Sequence, residues 1–289
     1  MVITSITSGL GNQLFQYAIG RRLALQNQAD LWFDLRYYHQ TYETDTVRHF
    51  KLDRFSIDYN VLDTSLYRYI QKASRLLLNR SLPGLIKTYT EPHFHYDPAA
   101  IHLRAPFLML NGYWQTEQYF ADCADQIRQE LTFRRQAGPR FSAYKQAIAQ
   151  SQTPVSVHVR RGDYVTHADF SKSFGFIGLD YYMAAISRLK TQVANPTLFI
   201  FSDDPDWVRQ NLLVDLPHEF VVNEGTDAEV DDLELMSLCR HHIIANSSFS
   251  WWGAWLNPAP DKVVIAPKIW FSNKPFDTSD LTPSSWLRL

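Results

Sequence analysis

From Val155 to Ala266 the chain alternates short, β-branched apolar runs with longer helix-like ones, and this alternation constrains the fold more than any other feature. Strand-like runs at 155–159, 197–201, 219–222, 243–245 and 263–266 are separated by helical patterns at 180–193, from Pro205, at 230–239 and from Phe249. Strands joined by crossovers of this length predict a doubly wound parallel sheet. Ligands of such sheets bind outside the carboxyl ends of the strands, so the residues just past each strand carry the functional question.

Three strand ends stand out. The first reads His158-Val159-Arg160-Arg161-Gly162-Asp163. Side chains alternate across a strand, so Ser156, His158 and Arg160 share a face. Two adjacent guanidiniums at a turn suit phosphate oxygens, and Gly162 lets the backbone come close; pairing of both arginines with surface carboxylates is the alternative. The second strand end reads Ser202-Asp203-Asp204-Pro205-Asp206. Asp204 and Pro205 fit an N-cap and a first helical residue, so the Asp-x-Asp spacing needs no metal. Asp203 is left at the strand end, where its carboxylate can accept the N1–H and N2–H of guanine. The third, Asn246-Ser247-Ser248-Phe249, opens a helix whose N–H groups and hydroxyls suit an anion, with plain capping by Ser248 as the alternative.

The N-terminal half is less periodic. Val2–Ile6 reads as a strand, Ser8–Gln13 as a turn, and Leu14 to Leu25 as a helix. Leu14 stands where a dinucleotide fingerprint needs Gly or Ala, which excludes a nicotinamide or flavin site. The loop with Gly11 and Asn12 is either a cradle for a diphosphate or sugar or only a tight turn. Residues 30–35 read as a second strand, and 107–112 as another, ending in Gly112-Tyr113-Trp114-Gln115. Trp114 and Gln115 suit a sugar ring with its apolar face and hydroxyls, or they staple strand to helix. His93, His95 and Asp97 sit in a Pro-bracketed loop without further ligands and read as structural or acceptor-facing, not as a zinc site. The polar stretch 134–153 reads as a linker, dividing 1–150 from 151–289.

A formal charge of −2 on 289 residues argues against a nucleic-acid binder, and two cysteines argue against a disulfide framework. The first strand follows Met1 with no leader pattern, and no apolar run is long enough to span a bilayer, which predicts a cytoplasmic protein. Between Thr64 and Thr90 the only charges are basic, with Arg68, Lys72, Arg75, Arg80 and Lys87 among leucines. Such a segment either packs on the core with a solvated basic face or lies against anionic lipid at the inner face of the membrane.

Taken together, Gly9-Leu10-Gly11-Asn12-Gln13-Leu14-Phe15-Gln16, Gly112-Tyr113-Trp114-Gln115, His158-Val159-Arg160-Arg161-Gly162-Asp163 and Asn246-Ser247-Ser248-Phe249-Ser250-Trp251-Trp252-Gly253 resemble the bacterial α-1,2-fucosyltransferases of glycosyltransferase family 11. The resemblance runs from the N-terminus to Trp286, and the His-x-Arg-Arg element is also similar to one in α-1,6-fucosyltransferases. It implies an α/β, GT-B-like fold of two Rossmann-like domains, 1–150 binding the acceptor and 151–289 the donor. It further implies GDP-fucose as co-substrate with no cofactor and no required metal, and inversion at the anomeric carbon. The implied acceptor is a galactose-terminated oligosaccharide or glycolipid, fucosylated in surface polysaccharide or O-antigen synthesis. On this reading Arg160 is catalytic with Asp163 orienting it. Gly11, Asn12, His158, Arg160, Arg161, Asp203, Asn246, Ser247, Ser248 and Phe249 face the donor, and Asp34, Trp114 and Gln115 the acceptor. Asp163, His167 and Asp34 stand as alternatives for a general base.

Overall fold

Each half of the chain builds a parallel sheet wrapped by helices. The computed structural model describes residues 1–40, 47–63, 65, 68–69, 72, 86–162, 165, 175–273 and 275–289. These divide into one unit of 1–134 with 277–281 and a second of 135–276 with 282–289.

The first unit holds β1 (Val2–Ser5), β2 (Leu31–Asp34), β3 (Asn60–Val61), β4 (Ile86–Thr90) and β5 (Phe107–Asn111), in the order β3-β2-β1-β5-β4. Every pairing is parallel. Helix α1 (Leu10–Asn27) crosses from β1 to β2 and buries Leu14, Phe15, Ala18, Ile19 and Leu23. Arg21 and Tyr17 on α1 both bind Glu130, at 2.7 and 2.5 Å, pinning it to α2 (Ala124–Glu130). The expected glycine turn is shorter than its sequence suggests. Helix α1 begins at Leu10, so Gly11, Asn12 and Gln13 are helical, and Ser8 alone takes the left-handed backbone, at φ 64°. Most of the basic segment 64–85 lies outside the described residues; 86–90, expected to continue it, is strand β4.

The second unit realises the alternation that the sequence predicts. Its strands are β6 (Pro154–Val159), β7 (Thr197–Ser202), β8 (His218–Val221), β9 (His241–Ile243), β10 (Val264–Ala266) and β11 (Leu287–Arg288). Their order is β11-β10-β9-β6-β7-β8, again all parallel. Helices α3 (Phe141–Gln150), α4 (Leu179–Lys190), α5 (Pro205–Asn211), α6 (Ala228–Leu238) and α7 (Ser248–Leu256) cover it. Strand β6 is buried at every position, and each fully buried valine there contributes roughly 1.5 kcal/mol or more.

The expected linker is instead part of this unit. Phe141 and Ile148 of α3 join the core with Phe199, Phe201 and Leu235. Arg135 is buried between Asp231 and Glu234, at 2.5 and 2.7 Å. The division therefore falls before α3 and not after residue 150; an amphipathic helix with a polar outer face mimics a linker in sequence. Among the described residues no helix is long and apolar enough to cross a membrane.

Candidate active site

In the second unit the chain runs β6, β7, β8 to one side and returns through β9 on the other, so the switch point lies between β6 and β9. That is where a doubly wound sheet opens a crevice. His158, on the last turn of pleat in β6, packs its ring 5.5 Å from that of Phe249 at the start of α7. Its Nδ1 is buried without a hydrogen-bond partner among the described residues. Burial, with Arg160 nearby, pushes His158 down to about 3, so the ring is neutral at pH 7. Arg160 Nη1 meets Asp203 Oδ2 at 3.1 Å, and the Arg161 N–H donates to Asp203 Oδ1 at 2.9 Å.

These contacts bear on the expectations for Asp203 and Arg161. Both oxygens of Asp203 are engaged by the Arg160-Arg161 turn, so its carboxylate organises the guanidinium, with one lone pair on each oxygen left over for a further donor. Gly162 makes this possible, since a Cβ there would stand 2.7 Å from Asp203 Oδ2. Arg161 is paired with Asp204 and stacked 4.2 Å over Trp207. Asp204 also caps α5, accepting from the Trp207 N–H at 3.4 Å, as its sequence context predicts. Asp163 and His167 lie outside the described residues.

The cap of α7 is Ser247, not Ser248: its Oγ accepts the Phe249 N–H at 3.3 Å. Asn246 is buried and its Nδ2 donates to Trp270 O at 3.2 Å, fixing the strand-to-helix turn. Sequence reasoning missed Asp232 on α6, whose carboxyl accepts from Asn223 Nδ2 at 2.8 Å and which burial pushes up to about 7. Its sequence context is the adjacent acidic pair Asp231-Asp232 in a helix that also carries Glu229 and Glu234.

In the first unit the switch point lies between β1 and β5. Gln16 receives the Thr7 N–H at 2.8 Å and donates to Gly112 O at 3.1 Å, tying the ends of β1 and β5 together. Gln13 holds Ser8 O and His49 O at 3.0 and 2.8 Å. Asn12 and Gln115 meet directly, Gln115 Nε2 donating to Asn12 Oδ1 at 2.7 Å. Gly11 is buried inside the first turn of α1.

Two acceptor-side expectations change here. Trp114 is fully buried against Tyr89 and Tyr119 and offers no face to a sugar; the exposed aromatic of the motif is Tyr113, 45% exposed. Asp34 lies in the fork of Arg36, with contacts of 2.8 and 2.6 Å to its two oxygens. His93 and His95 stack on each other at 3.6 Å, and no cluster with metal-ligand geometry occurs among the described residues. Glu91, which the sequence did not single out, accepts the N–H groups of Tyr113 and Trp114 at 2.7 and 3.0 Å.

The chain is 33% identical to the O-antigen biosynthesis glycosyltransferase WbnK of Escherichia coli, over 98% of its own length and 99% of the relative's. It is 32% identical to an alpha-1,2-colitosyltransferase of Escherichia coli, covering 100% and 99% of the two chains. Among solved structures, a NodZ alpha-1,6-fucosyltransferase soaked with GDP-fucose shares the fold, with a TM-score of 0.51 over 89% of this chain and 92% of that one at 14% identity. The sequence profile of glycosyl transferase family 11 matches residues 85–288, from β4 through β11, and the chain belongs to that family.

Proposed function

We propose that this chain is an inverting, metal-independent fucosyltransferase, moving L-fucose from GDP-β-L-fucose to O2 of a terminal galactoside in surface polysaccharide or O-antigen synthesis. The observation that carries the reading is the rim of the second sheet. There Arg160, tethered by Asp203, shares a switch point with the Ser247-capped start of α7. Transfer breaks the bond from the anomeric carbon to the β-phosphate oxygen, and negative charge grows on that phosphate. A fixed guanidinium and the positive end of a helix meet such charge without reorganising. Neutral His158 offers an uncharged ring edge to base or ribose. The Asp204-Pro205-Asp206 run supports metal independence, because Asp204 faces Arg161 and Asp206 faces Arg209 at 3.0 Å.

On the acceptor side, the Asn12–Gln115 amide pair and the exposed Tyr113 ring suit sugar hydroxyls and a sugar's apolar face. The relative named as an alpha-1,2-colitosyltransferase favours a second reading, in which colitose is transferred with the same linkage. Both are tested by incubating the protein with labelled GDP-fucose, or nucleotide-activated colitose, and a panel of galactosides in EDTA, then mapping the product linkage. An α-1,2-fucosylated galactoside is expected. Transfer of colitose alone selects the second reading, and no transfer to any galactoside overturns both.

A further inference from the structure

The transfer leaves one proton without a destination: the acceptor hydroxyl loses it as its oxygen bonds to the anomeric carbon. Asp34 is poorly placed to take it, with both oxygens in the Arg36 fork. Glu130, Asp122 and Asp53 are likewise held by arginines, Arg21, Arg22 and Arg54, while Asp97 accepts from the Tyr89 hydroxyl and the Ala99 N–H, and Asp280 from the Tyr96 N–H. Glu91 differs from all of these in being held by two backbone amides, and by no cation among the described residues.

Its position is built into the sheet. The Glu91 N–H donates to Asn111 O at 2.8 Å, extending the β4–β5 pairing to the rim. Its side chain then crosses Gly112, where a Cβ would stand 2.5 Å from Glu91 Cβ. Trp114, at φ 59°, delivers the second amide from a left-handed backbone that non-glycine residues rarely adopt. The carboxylate is thereby fixed within the turn that carries Tyr113 and Gln115, and each of its oxygens retains a second lone pair for a hydroxyl.

We propose that Glu91 is the general base of the reaction, accepting the proton of the acceptor hydroxyl; this rests on the glycosyl-transfer reading above. The acceptor oxygen bonds to the anomeric carbon as the bond from that carbon to GDP breaks, and its electron pair stays on the β-phosphate oxygen. The hydroxyl proton passes to a Glu91 oxygen and then to solvent. Burial pushes the Glu91 carboxyl up to about 7, against the two amides and His93, which lower it, and with Asp280, which adds to the rise. The Tyr119 phenol also lies within its field and stays protonated. A carboxyl titrating near neutrality combines availability with basicity, so the rate should rise with pH through about 7.

Glu91→Gln keeps an oxygen for one amide and removes the base. Its kcat should fall by about 100-fold or more, and the rise through neutral pH should vanish, with donor KM unchanged and the chain folded at the assay temperature. A kcat within about threefold of wild type with the acidic limb intact overturns the assignment and leaves Glu91 as a turn latch. Should the Gln variant melt early, Glu91→Asp carries the test: a lower kcat with the limb retained supports the base, and a rate insensitive to pH overturns it. A wild-type chain that transfers no sugar sinks both proposals, whereas wild-type transfer with an unaffected E91Q sinks this one alone.

Discussion

The two sheets share a strand plan and differ in what they place at their switch points. At the rim of the second sheet the groups are charged and paired, Arg160 with Asp203 and Arg161 with Asp204, beside the start of a capped helix. At the rim of the first they are amides, Asn12 with Gln115 and Gln13 and Gln16 with the backbone, together with a carboxylate held by N–H groups. A guanidinium already oriented by a carboxylate needs little reorganisation when phosphate arrives. Amides exchange hydrogen bonds with hydroxyls at no cost in net charge. One frame thus supports two chemistries, and the difference fits an anionic donor on one sheet and a neutral acceptor on the other.

The comparison breaks most sharply at Arg160. Arg160→Ala should lower kcat by about 100- to 1000-fold, the loss of about 3 to 4 kcal/mol of transition-state stabilisation typical of a preorganised donor. Arg160→Lys should be nearly as slow, because it keeps the charge and loses the planar fork. Both chains should melt close to wild type, since the side chain is partly exposed and Asp203 retains the Arg161 N–H. Steady-state kinetics beside thermal melting checks this; turnover retained in either variant would mean that the charged rim is not where the donor leaves.

How far each rim was legible follows from how local its causes are. The second sheet reads well because its strands are buried on both faces and so appear as unbroken apolar runs, β6 most clearly. The partner of Arg160 was not legible: Asp203 sits a full strand–helix–strand crossover away, and the pairing is set by the β6–β7 register, which aligns Val159 with Ser202. Trp114 shows the same limit in the first sheet. Its residue type suits a sugar platform, and only its left-handed backbone sends the ring inward and leaves Tyr113 outside. Glu91 lay in a stretch without periodicity, and its role appears only once Thr90 pairs with Asn111.

Acidification should separate the two rims in opposite directions. His158 binds its proton only near pH 3 in the folded chain, whereas unfolded histidine binds it near 6.5, so folding stability is lost as pH falls from 6.5 towards 3. Glu91 holds its proton from about 7 downward when folded and releases it down to about 4.5 when unfolded, so it stabilises the fold as pH falls through that window. His241 and His242, also lowered by burial, act in the direction of His158. Asp232, raised to about 7, acts in that of Glu91, so the variants are informative and the wild-type slope is not. Denaturant melts at pH 6.5 and 5.5 should show His158→Gln losing about 1 kcal/mol less than wild type over that unit, and Glu91→Gln losing about 1 kcal/mol more. Equal slopes in all three chains would mean that neither group is desolvated as its surroundings imply.

The smallest effect tests the division of labour itself. Tyr113 leaves 45% of its surface in solvent one residue from a fully buried tryptophan, so its ring is free to stack on the acceptor while Trp114 holds the turn. Removing one such stacking face costs about 1 kcal/mol, or roughly a fivefold rise in acceptor KM, for Tyr113→Ala. Its backbone N–H to Glu91 survives the substitution, so kcat at saturating acceptor and its pH profile should hold. Initial-rate measurements with each substrate varied in turn separate the cases. A rise confined to acceptor KM keeps the amide rim as the acceptor's seat, and an equal rise in donor KM would dissolve the distinction between the two sheets.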